Sequence, residues 1–218
     1  MTHNEVAAMI DHTLLKPEAG ERDILALCQE AREYGLATVC INPVFVKMAA
    51  KELAGSQVGI CTVIGFPLGA TTSRQKGQEA AEAVLNGATE LDMVINISFL
   101  KDGNLNELLS EIQEVVKSAQ GRPVKVILET CYLNDGEKVL GAQTAVRAGA
   151  RYVKTSTGFG PGGATFADVQ LLRETVGPTV GVKASGGIRT LQALQEMVRA
   201  GANRIGTSSG IAIIGELK

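Results

Sequence analysis

Apolar residues fall along the chain in two alternating periods. Eight short runs are apolar on consecutive positions: MIDHT (9–13), ATVCI (37–41), VGICTVIGF (58–66), ELDMVIN (90–96), VKVILET (124–130), RYVKTS (151–156), TVGVKAS (179–185) and NRIGTS (203–208). A strand with one wet face would alternate, so consecutive apolar positions predict parallel strands covered on both faces. Between the runs the spacing changes to i, i+3, i+4, i+7. Ile24, Leu27, Cys28 and Ala31 form one such stripe, and Leu105, Leu108, Leu109, Ile112, Val115, Val116 and Ala119 form another. Each predicts a helix with a single buried face.

The ends of these helices carry their own signals. Asn104 with Glu107, and Thr165 with Asp168, place an N-cap and an acidic third residue at two helix starts. Glycine followed by a short apolar strand recurs in EYGLATVC (33–40), LNGATELD (85–92), RAGARYVK (147–154) and RAGANRIG (199–206). The recurrence predicts a repeated strand–helix unit with glycine closing each helix. Eight units in strict order predict a single α/β domain over residues 1–218, a (β/α)8 TIM barrel. A doubly wound sheet would more often have about five to seven strands.

Composition narrows the function. The net charge is −2, with Lys and Arg scattered among Asp and Glu, so there is no basic stripe for nucleic acid. No apolar run approaches the roughly eighteen residues of a membrane span, and the first residues lack a leader pattern. A soluble, cytoplasmic protein is predicted. Cys28, Cys40, Cys61 and Cys131 form no C-x-x-C pair and lie in apolar surroundings, which predicts core packing in a reducing compartment. His3 and His12 are the only histidines and have no ligand spacing. Neither a metal nor a cofactor is predicted, and His12 reads as structural.

In a barrel of this kind the active site lies at the carboxyl ends of the strands. That rule sorts the lysines. Lys154 and Lys183 sit late in the sixth and seventh runs, just before glycine-rich turns, whereas Lys125 opens its run and is expected at the opposite end. A lysine in an apolar strand loses hydration, and a second ammonium nearby further disfavours protonation. Such an amine attacks carbonyls. The plainer reading is that both lysines pair with barrel carboxylates, but two intrastrand cations at equivalent places favour chemistry, because burying unneeded charge is costly. Asp92, flanked by apolar residues in the fourth run, is the candidate proton relay, with Glu129 as its rival and a structural ion pair as the alternative.

A phosphate site reads separately. Gly186 and Gly187 after the seventh run, and Gly206 to Gly210 with Thr207, Ser208 and Ser209 after the eighth, offer free N–H groups and hydroxyls, and Arg189 can add charge.

Four segments, KTSTG (154–158), VKASGGIR (182–189), ELDMVIN (90–96) and MIDHTLLKP (9–17), together resemble the deoxyribose-phosphate aldolase family over essentially the whole chain. The resemblance implies reversible cleavage of 2-deoxy-D-ribose 5-phosphate to D-glyceraldehyde 3-phosphate and acetaldehyde, without a cofactor. It places the Schiff-base lysine on Lys154, the second lysine on Lys183 and the relaying aspartate on Asp92. Substrate and phosphate contacts are implied at Thr157, Gly158, Gly186, Gly187, Arg189, Gly206, Ser208 and Ser209, with Asp11, Thr13 and Cys40 near the substrate. Many members end in a tail with a terminal tyrosine; this sequence has no tyrosine after Tyr152. A phosphosugar substrate and a homo-oligomer, dimer or tetramer, are expected. Another lysine aldolase, a phosphosugar isomerase or synthase, and a non-catalytic sugar-phosphate-binding barrel are the competing readings.

Overall fold

The computed structural model describes residues 1–217; Lys218, with which the expected domain ends, lies outside them. The strands are β1 (Ile10–Leu14), β2 (Thr38–Ile41), β3 (Gly59–Ile64), β4 (Glu90–Val94), β5 (Val124–Ile127), β6 (Tyr152–Lys154), β7 (Gly181–Ser185) and β8 (Arg204–Thr207). The helices are α1 (His3–Ala7), α2 (Glu21–Tyr34), α3 (Val46–Glu52), α4 (Ser73–Leu85), α5 (Ile97–Lys101), α6 (Leu105–Ser118), α7 (Asp135–Arg147), α8 (Phe166–Val176), α9 (Leu191–Arg199) and α10 (Gly210–Gly215). All strand pairs are parallel in the order β1 to β8, and β8 pairs back onto β1. This is the closed (β/α)8 barrel. Seven of the observed strands lie within their apolar runs, and β1 extends one residue past its run, to Leu14.

Burial follows the pattern. Ile24, Leu27, Cys28 and Ala31 of α2 are buried, as are Leu108, Ile112 and Val115 of α6. Gly35, Gly87, Gly149 and Gly201 take positive φ at the helix ends, where a side chain would be strained. Thr165 caps α8 by accepting from the Asp168 N–H at 3.1 Å. Asn104 holds the N-cap position of α6 but makes no side-chain cap, so that expectation is corrected; its ψ of 60° lies outside the extended range in which a capping side chain folds back on the helix. His12 is buried, with Nε2 2.7 Å from Glu30 on α2, a structural placement. Cys28, Cys40 and Cys61 are buried; Cys131 is exposed, in the 3-10 turn Thr130–Tyr132 after β5, and does not pack in the core as expected. Among the described residues no helix is long and apolar enough to cross a membrane.

Candidate active site

The barrel interior is ionic. Seven charged side chains from six strands meet there: Asp11, Glu90, Asp92, Lys125, Lys154, Lys183 and Arg204. The register explains the meeting, because Lys154 pairs with Lys183 across β6 and β7, and Asp92 with Lys125 across β4 and β5. Asp92 Oδ2 lies 2.8 Å from Lys154 Nζ and 2.7 Å from Lys183 Nζ, and its Oδ1 lies 2.8 Å from Lys125 Nζ. Lys183 also bonds Asp11, and Arg204 Nε reaches Asp11 at 2.5 Å. Lys125 and Arg204 both grip Glu90, at 2.6 and 2.8 Å.

Lys125 departs from its expected place. Its backbone sits low on β5, but its side chain is fully buried and its ammonium joins the cluster around Asp92. A four-carbon stem carries the charge well away from the Cα, so strand position alone does not locate a lysine's charge.

The surroundings set the protonation states. Burial pushes the Asp92 carboxyl up, but Lys125, Lys154 and Lys183 outweigh it and hold it well below the ordinary carboxylate range. Asp11 is likewise held low against burial, by Lys183, Lys125 and Arg204. Burial pushes Lys183 down, and Asp11 with Asp92 reverse this and hold it above the usual lysine range. Asp92 is therefore an anion in the resting site and organises the surrounding cations. Cys40 Sγ, Cys61 Sγ and an Asp92 oxygen converge within 4.8 Å of one another. They do not suit a metal cation: burial pushes the Cys61 thiol well up, and lysines already occupy the carboxylate.

Above this layer lies a cleft of about 400 Å³ at the carboxyl ends of the strands. Lys154 is the only charged cluster member among its lining residues. Of the other expected residues, Thr13, Thr157, Gly158, Gly186, Gly187, Arg189, Gly206 and Ser208 line it. Asp92, Lys183, Asp11 and Cys40 do not; they lie in the layer beneath or beside it. Ser209 also stays out, its N–H donating to Thr207 Oγ1 at 2.9 Å. Gly206 has to be small, since a Cβ there would sit 3.0 Å from Lys183 Cε.

Glu129, the rival acid, has another task. It accepts from the Thr157 N–H at 3.2 Å and from the Thr157 hydroxyl, bracing the loop after β6. Sequence reasoning missed Glu90, Arg204 and Cys61 below the cleft and Lys16 and Phe159 on its wall. Glu90 and Arg204 begin their strands, where a charge reads as solvated. Lys16 stands three residues beyond the expected first strand, and a run-end charge was its one available signal.

The profile of the DeoC/LacD family aldolases matches residues 5–215. The chain belongs to that family. This DeoC/LacD family aldolase is 56% identical over 216 residues to a deoxyribose-phosphate aldolase of Caldanaerobacter subterraneus subsp. tengcongensis, covering 98% of this chain and 94% of the relative. It is 58% identical over 214 residues to that of a Thermoanaerobacter species, covering 97% and 96%. The structure of the Aeropyrum pernix deoxyribose phosphate aldolase, described as a unique tetramer, superposes with a TM-score of 0.92 at 38% identity, covering 98% of this chain and 91% of that one. A family of aldolases fits a site in which a buried amine faces the cleft.

Proposed function

We propose that this chain is a class I deoxyribose-phosphate aldolase of the cytoplasm. It would cleave 2-deoxy-D-ribose 5-phosphate reversibly to D-glyceraldehyde 3-phosphate and acetaldehyde, in deoxyribose phosphate catabolism. One observation carries the reading: of the three lysines gathered on Asp92, Lys154 alone opens onto a cleft whose opposite wall is the glycine-rich β7 and β8 loops. The free amine of Lys154 attacks C1 of the open-chain sugar, and loss of water gives an iminium. Removal of the C3 hydroxyl proton, through a water to the Asp92–Lys183 pair, lets the C2–C3 bond break. Its electrons pass to the iminium. The enamine takes a proton at C2, and hydrolysis frees acetaldehyde and the amine.

The phosphate rests on the N–H groups of Gly158, Gly186, Gly187 and Gly206 and on Ser208, with Arg189 as a rim cation. The protein acts as one catalytic domain, and as a dimer or tetramer. The tetrameric Aeropyrum pernix relative supports assembly, and light scattering after gel filtration measures it.

Acetaldehyde with borohydride is expected to add one ethyl group to the peptide carrying Lys154. Lys154→Arg is expected to abolish that label, since a guanidinium stays protonated. Label on Lys183 in the parent, with Lys154→Arg still trapped, would reverse the assignment. Activity is expected to survive prolonged chelation, and a loss restored by Zn²⁺ would sink the Schiff-base reading. Ser208→Asp is expected to raise KM for the phosphorylated sugar far more than for free deoxyribose. Equal effects on both would place the phosphate elsewhere.

A further inference from the structure

The ionic layer has a floor that the proposed chemistry does not use. Arg204 closes it from β8, with Nε 2.5 Å from Asp11 and a terminal nitrogen 2.8 Å from Glu90, and its guanidinium lies 6.0 Å from the Tyr152 ring centre. Glu90 on β4 accepts from both Arg204 and Lys125. The charges therefore alternate from floor to cleft: Glu90, Arg204, Asp11, Lys183, Asp92, Lys154. Lys125 touches Glu90, Asp92 and, at 3.7 Å, Asp11, tying the column together sideways.

Four basic side chains share three carboxylates. Asp92 has two oxygens for three ammonium groups, so any change in what Asp11 and Glu90 demand of Lys183 and Lys125 alters the share of Asp92 left to Lys154. We propose that Arg204 and Glu90 are positioning residues for the amine of Lys154: from the amino end of the barrel they fix how the charge of Asp92 is divided among the three lysines. The inference rests on Lys154 being the imine-forming residue.

The direction follows from the contacts. Without Arg204, Asp11 draws Lys183 and Lys125 toward itself, and Asp92 is left freer to hold Lys154 as an ammonium. Without the Glu90 charge, Lys125 leans harder on Asp92 and Lys154 is held less. The other groups facing the amine do not offset these changes. The thiols of Cys40 on β2 and Cys61 on β3 flank Asp92, burial keeping that of Cys61 protonated, and Glu129 on the loop after β5 is engaged with Thr157. Lys16 and Arg189 line the open cleft, where water screens them.

The experiment is the rate of borohydride trapping with acetaldehyde across pH, in the parent and in Arg204→Met, Arg204→Lys and Glu90→Gln. Arg204→Met is expected to move the trapping midpoint to higher pH and Glu90→Gln to lower pH, each by roughly one unit, the size of a unit charge acting over ~10 Å at an effective dielectric of ~20. Arg204→Lys is expected to restore the parent midpoint. A merely structural role would lower stability in both variants without splitting the midpoints in opposite directions. Midpoints unmoved in trapped, folded variants would overturn the inference, and if Arg204→Met does not fold, the shift in Glu90→Gln decides alone. A parent that acetaldehyde and borohydride do not label would instead refute the Schiff-base reading itself.

Discussion

Lys154 and Lys183 are register partners of one residue type, yet their settings differ by one carboxylate and one opening. Lys183 is shared between Asp11 and Asp92 and fully buried, whereas Lys154 rests on Asp92 alone and meets the cleft. Lys183→Arg keeps the charge while losing the compact ammonium, so slow but measurable labelling of Lys154 is expected. Complete loss of labelling would mean that Lys183 does more than hold charge. Glu129 supports a different set of atoms. Because it holds Thr157 by backbone and hydroxyl, Glu129→Ala is expected to raise KM about ten-fold, the value of roughly one charge-assisted hydrogen bond; an unchanged KM in steady-state assays would show the loop to be held otherwise. Lys154, Lys183 and Asp92 were legible in the sequence because each is a charge inside an apolar run. Arg204 and Glu90 were not, since a charge at the start of a strand has the same appearance whether it meets water or turns inward.

At the scale of elements, α4 and α6 are joined to the end of β4 by a buried ion pair. Lys76 Nζ lies 2.8 Å from Glu111 and donates to the Val94 carbonyl, while Glu111 accepts from the Asn96 N–H, each at 2.8 Å. Burial pushes Lys76 down and Glu111 up, and each partner opposes the shift in the other. Lys76→Met alone is expected to cost about 3–5 kcal/mol, because it strands a buried carboxylate. Adding Glu111→Leu is expected to cost less than the two single changes together, and a denaturant-unfolding cycle measures this. Strict additivity would show that the pair does not act as a unit. The eight strands were legible as elements from their consecutive apolar positions. The five-residue helices α1 and α5 were not, being too short to display a 3.6-residue period. The sixth run also overshot: β6 ends at Lys154, and beyond it Thr155 still takes the Lys183 carbonyl at 3.1 Å.

For the whole molecule, the ionic interior sets a pH range of stability. Asp11 and Asp92 are held low, so their contribution is present above about pH 4, the unfolded carboxylate value, and is lost as pH falls through their lower folded values. Lys125 and Lys183 are held high, so theirs is present below about pH 10.5 and is lost as pH rises past their raised folded values. The Tm difference between the parent and Lys125→Met is accordingly expected to stay level between about pH 5 and pH 9 and to shrink only in stronger alkali. A difference that fell away near neutral pH would show the cluster to be discharged there.

Closure of the barrel by β1 and β8 has a kinetic meaning as well. Asp11 and Arg204 are 193 positions apart in the chain, and Lys183 meets Asp11 across 172. Until the last strand docks, Asp11 has no guanidinium and Lys183 has one of its two carboxylates, so a partly assembled barrel holds charges it does not match. Loop closure over such a separation comes late and slowly. A chain truncated before β8 is therefore expected to lack a stable half-barrel, and a cooperative unfolding transition in such a fragment would show otherwise.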